Sequence, residues 1–168
     1  DLVPQGQVGD LLDIGTGTGR MLELFGDRAR SAVGIDQSRE MLAVARANLD
    51  RAGRRNCLVR QGDMYQLPLP DLSFDLAIIH QVLHYAEEPG EVIQEAARVL
   101  RPGGRLILVD FAPHAQEVLR DEHAHRRLAV LAANLHDGTQ LLVEQRAHQH
   151  LEGAAAEQLA LLLVAVDV

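Results

Sequence analysis

Apolar residues in this chain fall into short runs, and between the runs they recur every three or four positions. Runs centred on residues 11–14, 31–36, 57–61, 74–79 and 105–111 read as buried strands. Helical spacing joins Met21, Leu22, Leu24 and Phe25 ahead of Gly26. A second helix is predicted from a Ser38 cap through Asn48, with Met41, Leu42, Ala45 and Leu49 as its apolar face and Gly53 past its end. A third spans 87–100, where Val92, Ile93, Ala96, Val99 and Leu100 form the buried stripe. Strands alternating with helices predict an α/β domain.

The connections carry their own signals. Leu67-Pro68-Leu69-Pro70, with Asp71 and Ser73, reads as a stiff surface loop, and Arg101-Pro102-Gly103-Gly104 as a turn into the fifth strand. Later, 128–135 reads as a short Ala/Leu helix. Residues 140–151 and 159–168 read as two final strands, a hairpin joined by an alanine-rich linker at 152–158.

Candidate chemistry begins with Asp13-Ile14-Gly15-Thr16-Gly17-Thr18-Gly19-Arg20, between the first strand and the first helix. Glycines there let the backbone approach a ligand and adopt positive φ. The helix start is expected to offer N–H groups to an anionic group. A dinucleotide fingerprint does not fit, because Arg20 and Leu22 stand where its third glycine belongs in either register. Asp36, with Gln37 beside it, lies 23 residues after Asp13 at the end of the second strand, the place of an acid that accepts ribose hydroxyls. Met41 reads as core or as an adenine neighbour. Gly62, Asp63 and Met64 leave the third strand where a loop can close over a base; the alternative for Asp63 is a turn acid capping its own backbone. His80, Gln81, His84 and Tyr85 leave the carboxyl end of the fourth strand, which should face a reacting group. A histidine there can act as a general base or simply hydrogen-bond locally.

Asp13 followed by G-x-G-x-G, and the run Arg98-Val99-Leu100-Arg101-Pro102-Gly103-Gly104-Arg105-Leu106, resemble motifs of class I S-adenosylmethionine-dependent methyltransferases. A closer resemblance comes from Ile79–Tyr85, from Asp110-Phe111-Ala112-Pro113-His114 and from His123-Ala124-His125-Arg126-Arg127. These look like the methyltransferase half of two-part bacterial proteins whose other half is an ArsR-type winged-helix repressor, a half not expected within these 168 residues. The resemblance implies a Rossmann-like doubly wound sheet, mostly parallel, of seven strands in the order 3-2-1-4-5-7-6 with the last antiparallel. It implies S-adenosylmethionine as cofactor and transfer of its methyl group, in line, to a small-molecule acceptor. Gly15, Gly17 and Gly19 would lie against the cofactor's amino-acid end, with Asp13 helping to hold its amine. Asp36 would take the ribose, and Asp63 with Met64 the adenine. A backbone carbonyl near His80 would meet the amine, with Gln81 beside it. His80, His84 and Tyr85 are the catalytic candidates, and no metal is expected. The tail departs from the family, since no aromatic residue follows Phe111.

Composition narrows the rest. At 168 residues the chain is expected to be one domain, with 1–112 as cofactor-binding core and 113–168 as a divergent substrate-side part. With 47% hydrophobic residues but only three Phe and two Tyr, the core must be aliphatic. A formal charge of −8, with arginine as the only basic residue type besides histidine, argues against nonspecific nucleic-acid binding through this domain. Cys57, the single cysteine, excludes an internal disulfide and reads as a small core residue. No apolar run approaches ~20 residues and no secretory signal is visible, so a cytoplasmic chain without membrane contact is expected. Unmatched apolar surface near the C-terminus suggests pairing as a homodimer. The competing class is a noncatalytic module that binds S-adenosylmethionine or S-adenosylhomocysteine without turnover, needing the glycines and Asp36 but not His80, His84 or Tyr85.

Overall fold

The computed structural model describes residues 5–110 in full and the backbone alone of Phe111, 141–147 and 160–167. Its elements are β1 (Gly9–Ile14), α1 (Arg20–Phe25), β2 (Ala29–Asp36), α2 (Arg39–Arg51), β3 (Cys57–Gln61), β4 (Phe74–His80), α3 (Pro89–Val99) and β5 (Leu100–Phe111). Five strands form a parallel sheet in the order β3-β2-β1-β4-β5. Two further backbone segments, β6 (Leu141–Ala147) and β7 (Ala160–Asp167), pair antiparallel with each other, and β7 pairs antiparallel with β5. The expected helices at 87–100 and from Ser38 are both present. Ser38 Oγ accepts the Met41 N–H at 3.2 Å, as an N-cap should.

Side chains alternate across the sheet, and both faces are covered. Leu12, Ile14, Ala77, Ile79, Leu106 and Leu108 pack against Val92, Ile93, Ala96 and Val99 of α3. On the opposite face Leu11, Leu76, Ile78 and Ile107 meet Leu22 of α1 and Leu49 of α2. Cys57 is buried in this second cluster, and burial raises its thiol pKa, as suits a core residue. Met41 is not part of the α2 core face: Leu42, Ala45 and Leu49 are buried and Met41 is exposed.

Two connections differ from expectation. The 67–70 segment is not a surface loop, since Leu67 and Leu69 are only 4% and 9% exposed and join the α3-side core. It covers the sheet where the β3–β4 crossover has no helix. Its backbone polar groups are satisfied from α3, with Glu95 Oε1 accepting the Leu67 N–H at 2.7 Å and Arg98 donating to the Leu67 and Leu69 carbonyls. The turn 101–104 is absorbed into β5 as a bulge. Phe74 pairs with Leu100 but Leu76 pairs with Arg105, so four residues of β5 stand opposite the single Asp75 while pairing continues on both sides.

At the amino ends of the strands an ion cluster spans four of them. Asp10 on β1 pairs with Arg30 on β2, and Arg101 on β5 reaches both Asp10, at 3.1 Å, and Asp75 on β4, at 2.8 Å. The Asp10 N–H donates to Asp75 Oδ2 at 2.7 Å. Arg30, the first contributor, with Ser31 and Arg101, holds the Asp10 carboxyl at about 2, against its partial burial.

Candidate functional site

β2 runs outward from β1 on one side and β4 on the other, so the chain order reverses between β1 and β4. In open parallel sheets ligands bind beyond the carboxyl ends of strands at such a reversal. A cleft of ≈ 140 Å³ opens there, lined by Gly15, Ile35, Asp36, Gln37, Gly62, Met64, Val82 and Tyr85. Its residues end β2 or follow β1, β2, β3 and β4 in turn. The volume lies below the ~300–1,000 Å³ of whole small-molecule pockets.

The glycine turn is held from within. Gly15 and Thr16 donate their N–H groups to the Ile35 carbonyl, at 2.8 and 3.0 Å, and Gly19 donates to the Thr16 carbonyl at 2.8 Å. The Gly17 N–H donates to Asp36 Oδ2 at 2.8 Å, while Asp36 Oδ1 accepts the Ser38 N–H at 2.9 Å. The N–H groups of Gly15, Thr16, Gly17 and Gly19 are thus bonded inside the protein, and α1, six residues long, starts directly after them. Close approach survives as the glycines' role. At Gly15, with φ of 73°, an added Cβ would meet Val82 Cγ2 at 2.5 Å; at Gly17, with φ of 52°, it would project into open space.

Asp13 does not face the cleft. It is 1% exposed, on the α1 side of the sheet, and accepts the Thr16 hydroxyl at 2.6 Å. Burial pushes its pKa up to about 7, opposed by the Thr16 hydrogen bond and reinforced by the Asp36 charge. The expectation that it holds a cofactor amine is corrected: an enclosed carboxyl cannot reach a cleft ligand, and it braces the turn instead. Asp63 accepts the Tyr65 N–H at 2.9 Å, the local turn contact that was its alternative reading, while its neighbours Gly62 and Met64 line the cleft. Met41 is not among the lining residues.

Beyond β4 the chain turns sharply. Gln81 has φ of 53°, rare for a residue with a Cβ, and donates its N–H to the Val109 carbonyl at 2.7 Å. His80 ends the strand, partly buried; desolvation lowers its pKa against the opposing charge of Asp110. A 3₁₀ turn, Leu83–Tyr85, follows. Asp110, near the end of β5 and 3% exposed, accepts the Leu83 N–H on Oδ2 at 2.8 Å. Its Oδ1 lies 2.9 Å from His84 Nδ1. The rings of His84 and Tyr85 are 4.0 Å apart, and Tyr85, largely exposed, forms the outer wall of the cleft. The structure thus brings Gly15, Asp36, Gln37, Gly62, Met64 and Tyr85 together and sets His84 behind Tyr85.

Sequence reasoning gave Asp110 no site role, although an acid ending an apolar strand was the signal used for Asp36. Ile35 and Val82 were missed as well; as single apolar residues beside polar ones they carry no signal of their own. Residues 112–140 and 148–159, including the histidines at 114, 123, 125, 136, 148 and 150, lie outside the described residues. Among the described residues, no three His, Cys, Asp or Glu side chains are grouped as a metal site, and no helix is long and apolar enough to cross a membrane.

The family described as "Methyltransferase domain" matches residues 12–108. An uncharacterized methyltransferase of Bacillus subtilis, YcgJ, is 36% identical over 104 residues, 61% of this chain and 41% of that protein. Its crystal structure superposes with a TM-score of 0.74, covering 97% of this chain and 93% of that one at 22% identity. A phosphatidylethanolamine N-methyltransferase of Cereibacter sphaeroides is 38% identical over 103 residues, 61% of this chain and 50% of the relative. The [4+2]-cyclase SpnF has a TM-score of 0.75 and 26% identity, covering 96% of this chain and 75% of that one. The chain thus spans half or less of the length of these two curated relatives.

Proposed function

The chain belongs to the methyltransferase-domain family, and on that premise we propose that it transfers a methyl group to a small-molecule acceptor. S-adenosylmethionine is the cofactor. The observation that carries the reading is the cleft at the sheet's reversal point, where the Asp36 carboxylate stands among Gly15, Gln37, Gly62 and Met64.

The residues fit the group. Each Asp36 oxygen accepts one backbone N–H, so each keeps a lone pair for a ribose hydroxyl. Gly15 has no room for a side chain, and the open space outside Gly17 admits a ligand against the backbone. Met64, Ile35 and Val82 supply the apolar surface a purine ring needs. Held there by Asp36 and the glycine turn, the cofactor would supply an activated methyl carbon on a sulfonium for in-line transfer. Alignment of acceptor and methyl is then the protein's main task, and orientation of this kind contributes up to about 7–11 kcal/mol in favourable cases. Tyr85, Gln81, His80 and His84 are the residues assigned to the acceptor side.

The seven-stranded sheet, with β7 antiparallel on β5, belongs to the same proposal, and the backbone pairing of Ala160–Asp167 supports it. So does the closer likeness to the methyltransferase half of ArsR-type two-part proteins, supported by Ile79–Tyr85. A cytoplasmic chain and a homodimer remain proposals on the composition alone. The second reading, a module that binds the cofactor without turnover, draws on the family's structural range, since one protein sharing the fold is a [4+2]-cyclase.

Calorimetric titration with S-adenosylmethionine and S-adenosylhomocysteine tests the cofactor site. Saturable binding that Asp36→Ala weakens is the expected result. A folded chain that binds neither compound would sink the proposal.

A further inference from the structure

We propose that Tyr65 is a positioning residue for the transfer: its phenolic oxygen ties the loop lining the cofactor cleft to the segment carrying Tyr85, so that a filled cleft fixes the acceptor-side wall. The inference rests on the methyl-transfer reading above and adds to it a coupling between the two halves of the site.

The cleft takes its walls from separate loops. Gly62 and Met64, after β3, form one, and Val82 and Tyr85, after β4, form the other. Tyr65 follows Met64 directly and sits in a closed turn. Asp63 Oδ1 accepts the Tyr65 N–H at 2.9 Å, and the Gln66 N–H returns to the Asp63 carbonyl at 3.3 Å. Just before this turn the Gly62 N–H donates to the Asp36 carbonyl at 3.1 Å. Tyr65 packs against the same core cluster as Met64, Val82 and Ala86.

Its oxygen then crosses to the other wall. Tyr65 Oη accepts the Glu87 N–H at 2.8 Å and the Glu88 N–H at 3.3 Å. These amides come directly after the turn that carries Tyr85. Within that turn the Tyr85 N–H donates to the Val82 carbonyl at 3.0 Å, and the Ala86 N–H to the Leu83 carbonyl at 2.9 Å. An unbroken series of contacts therefore leads from Asp36 through Gly62, Asp63 and Tyr65 to Glu87, beside Tyr85.

Satisfying polar groups does not call for a tyrosine here. Glu87 and Glu88 are exposed, and water can bond such amides nearly as well. A phenolic oxygen accepts through lone pairs set on a rigid ring, and it holds both N–H groups at one point, which exchanging water does not. What Tyr65 contributes is position. A base resting on Met64 restrains the turn that holds Tyr65, and through Oη it restrains the chain on which Tyr85 stands.

Amide hydrogen exchange of the full chain, followed by nuclear magnetic resonance with and without S-adenosylhomocysteine, tests the coupling. In the wild type the ligand should slow exchange at Gly62, Asp63 and Met64, and also at Glu87 and Glu88 by about fivefold or more, the low end of ordinary coupling between sites. Tyr65→Phe keeps the ring and removes the oxygen. Without ligand, exchange at Glu87 and Glu88 should quicken roughly tenfold, as for one lost hydrogen bond. With ligand, the variant should still be protected at Gly62, Asp63 and Met64, while Glu87 and Glu88 no longer respond. A cap that merely steadied α3 would change the unliganded rates and leave that ligand response intact. A thermal melt shows whether the variant is folded; if it is not, the wild-type response at Glu87 and Glu88 decides. An equal ligand response in folded Tyr65→Phe, or none at Glu87 and Glu88 in a wild type that binds, overturns the coupling alone. No binding by the folded wild type removes the methyl-transfer reading and the coupling with it.

Discussion

Asp36 Oδ2 accepts the Gly17 backbone N–H at 2.8 Å, which joins the acid ending β2 to the glycine turn after β1. The two strongest sequence signals of the site are thus one hydrogen-bonded unit, and a ligand that engages the carboxylate also bears on the turn.

Asp36→Ala should therefore do more than remove a ribose acceptor. It leaves the Gly17 and Ser38 N–H groups without their partner. S-adenosylhomocysteine affinity is expected to fall roughly 10–100-fold, the equivalent of one lost charge-assisted bond. Amide exchange at Gly17 and Ser38 should quicken in the unliganded variant. Asp36→Asn, which keeps one carbonyl oxygen, should lose less on both counts.

Gly15→Ala combines a left-handed backbone with a collision against Val82. The backbone part costs about 1–2 kcal/mol and the overpacking about 1–3 kcal/mol. Denaturant midpoints should show destabilisation of about 2–4 kcal/mol with an unchanged slope. Adding Val82→Ala should recover the packing part and leave the backbone part, a coupling that a double-mutant cycle reads directly.

Asp13 makes stability fall as pH rises. Its folded pKa, about 7, lies above the ordinary carboxyl value of 3.8, so the folded chain holds a proton that the unfolded chain releases between those values. The stability tied to the neutral carboxyl is complete below about pH 4 and is lost as pH climbs through 7. Asp13→Asn keeps an acceptor for the Thr16 hydroxyl and cannot ionise. Its melting temperature relative to wild type should improve by several degrees between about pH 5 and pH 8. A constant difference across that range would remove burial of an ionisable Asp13 as the cause.

Gln81→Gly tests the strained residue beyond β4. Glycine adopts φ near 53° freely and keeps the N–H bonded to Val109. Thermal unfolding should show a gain of up to about 1 kcal/mol. If the strain serves to aim the Gln81 side chain at the cofactor, S-adenosylhomocysteine binding should weaken in the same variant.

What the sequence disclosed were features that act within a few residues of one another. The glycine turn, the strand-ending Asp36, the Ser38 cap and the apolar stripe of α3 are local. Leu67 and Leu69 misled because prolines flank them; their burial depends on Glu95 and Arg98, side chains of a helix that arrives later in the chain. Asp13 misled through direction, since alternation along β1 sends it to the same covered face as Leu11. Met41 lies one position off the Leu42, Ala45, Leu49 stripe, a difference in helical phase that a run of apolar letters conceals. The His84–Asp110 contact joins residues 26 positions apart and exists only because β4 and β5 are neighbours.

The ion cluster of Asp10, Arg30, Asp75 and Arg101 ties β1, β2, β4 and β5 at the end of the sheet away from the cleft. Alignment of the strands is thereby guarded where no chemistry occurs. A substitution at Tyr85 or Gln81, at the opposite pole, therefore leaves every contact of this four-charge network in place.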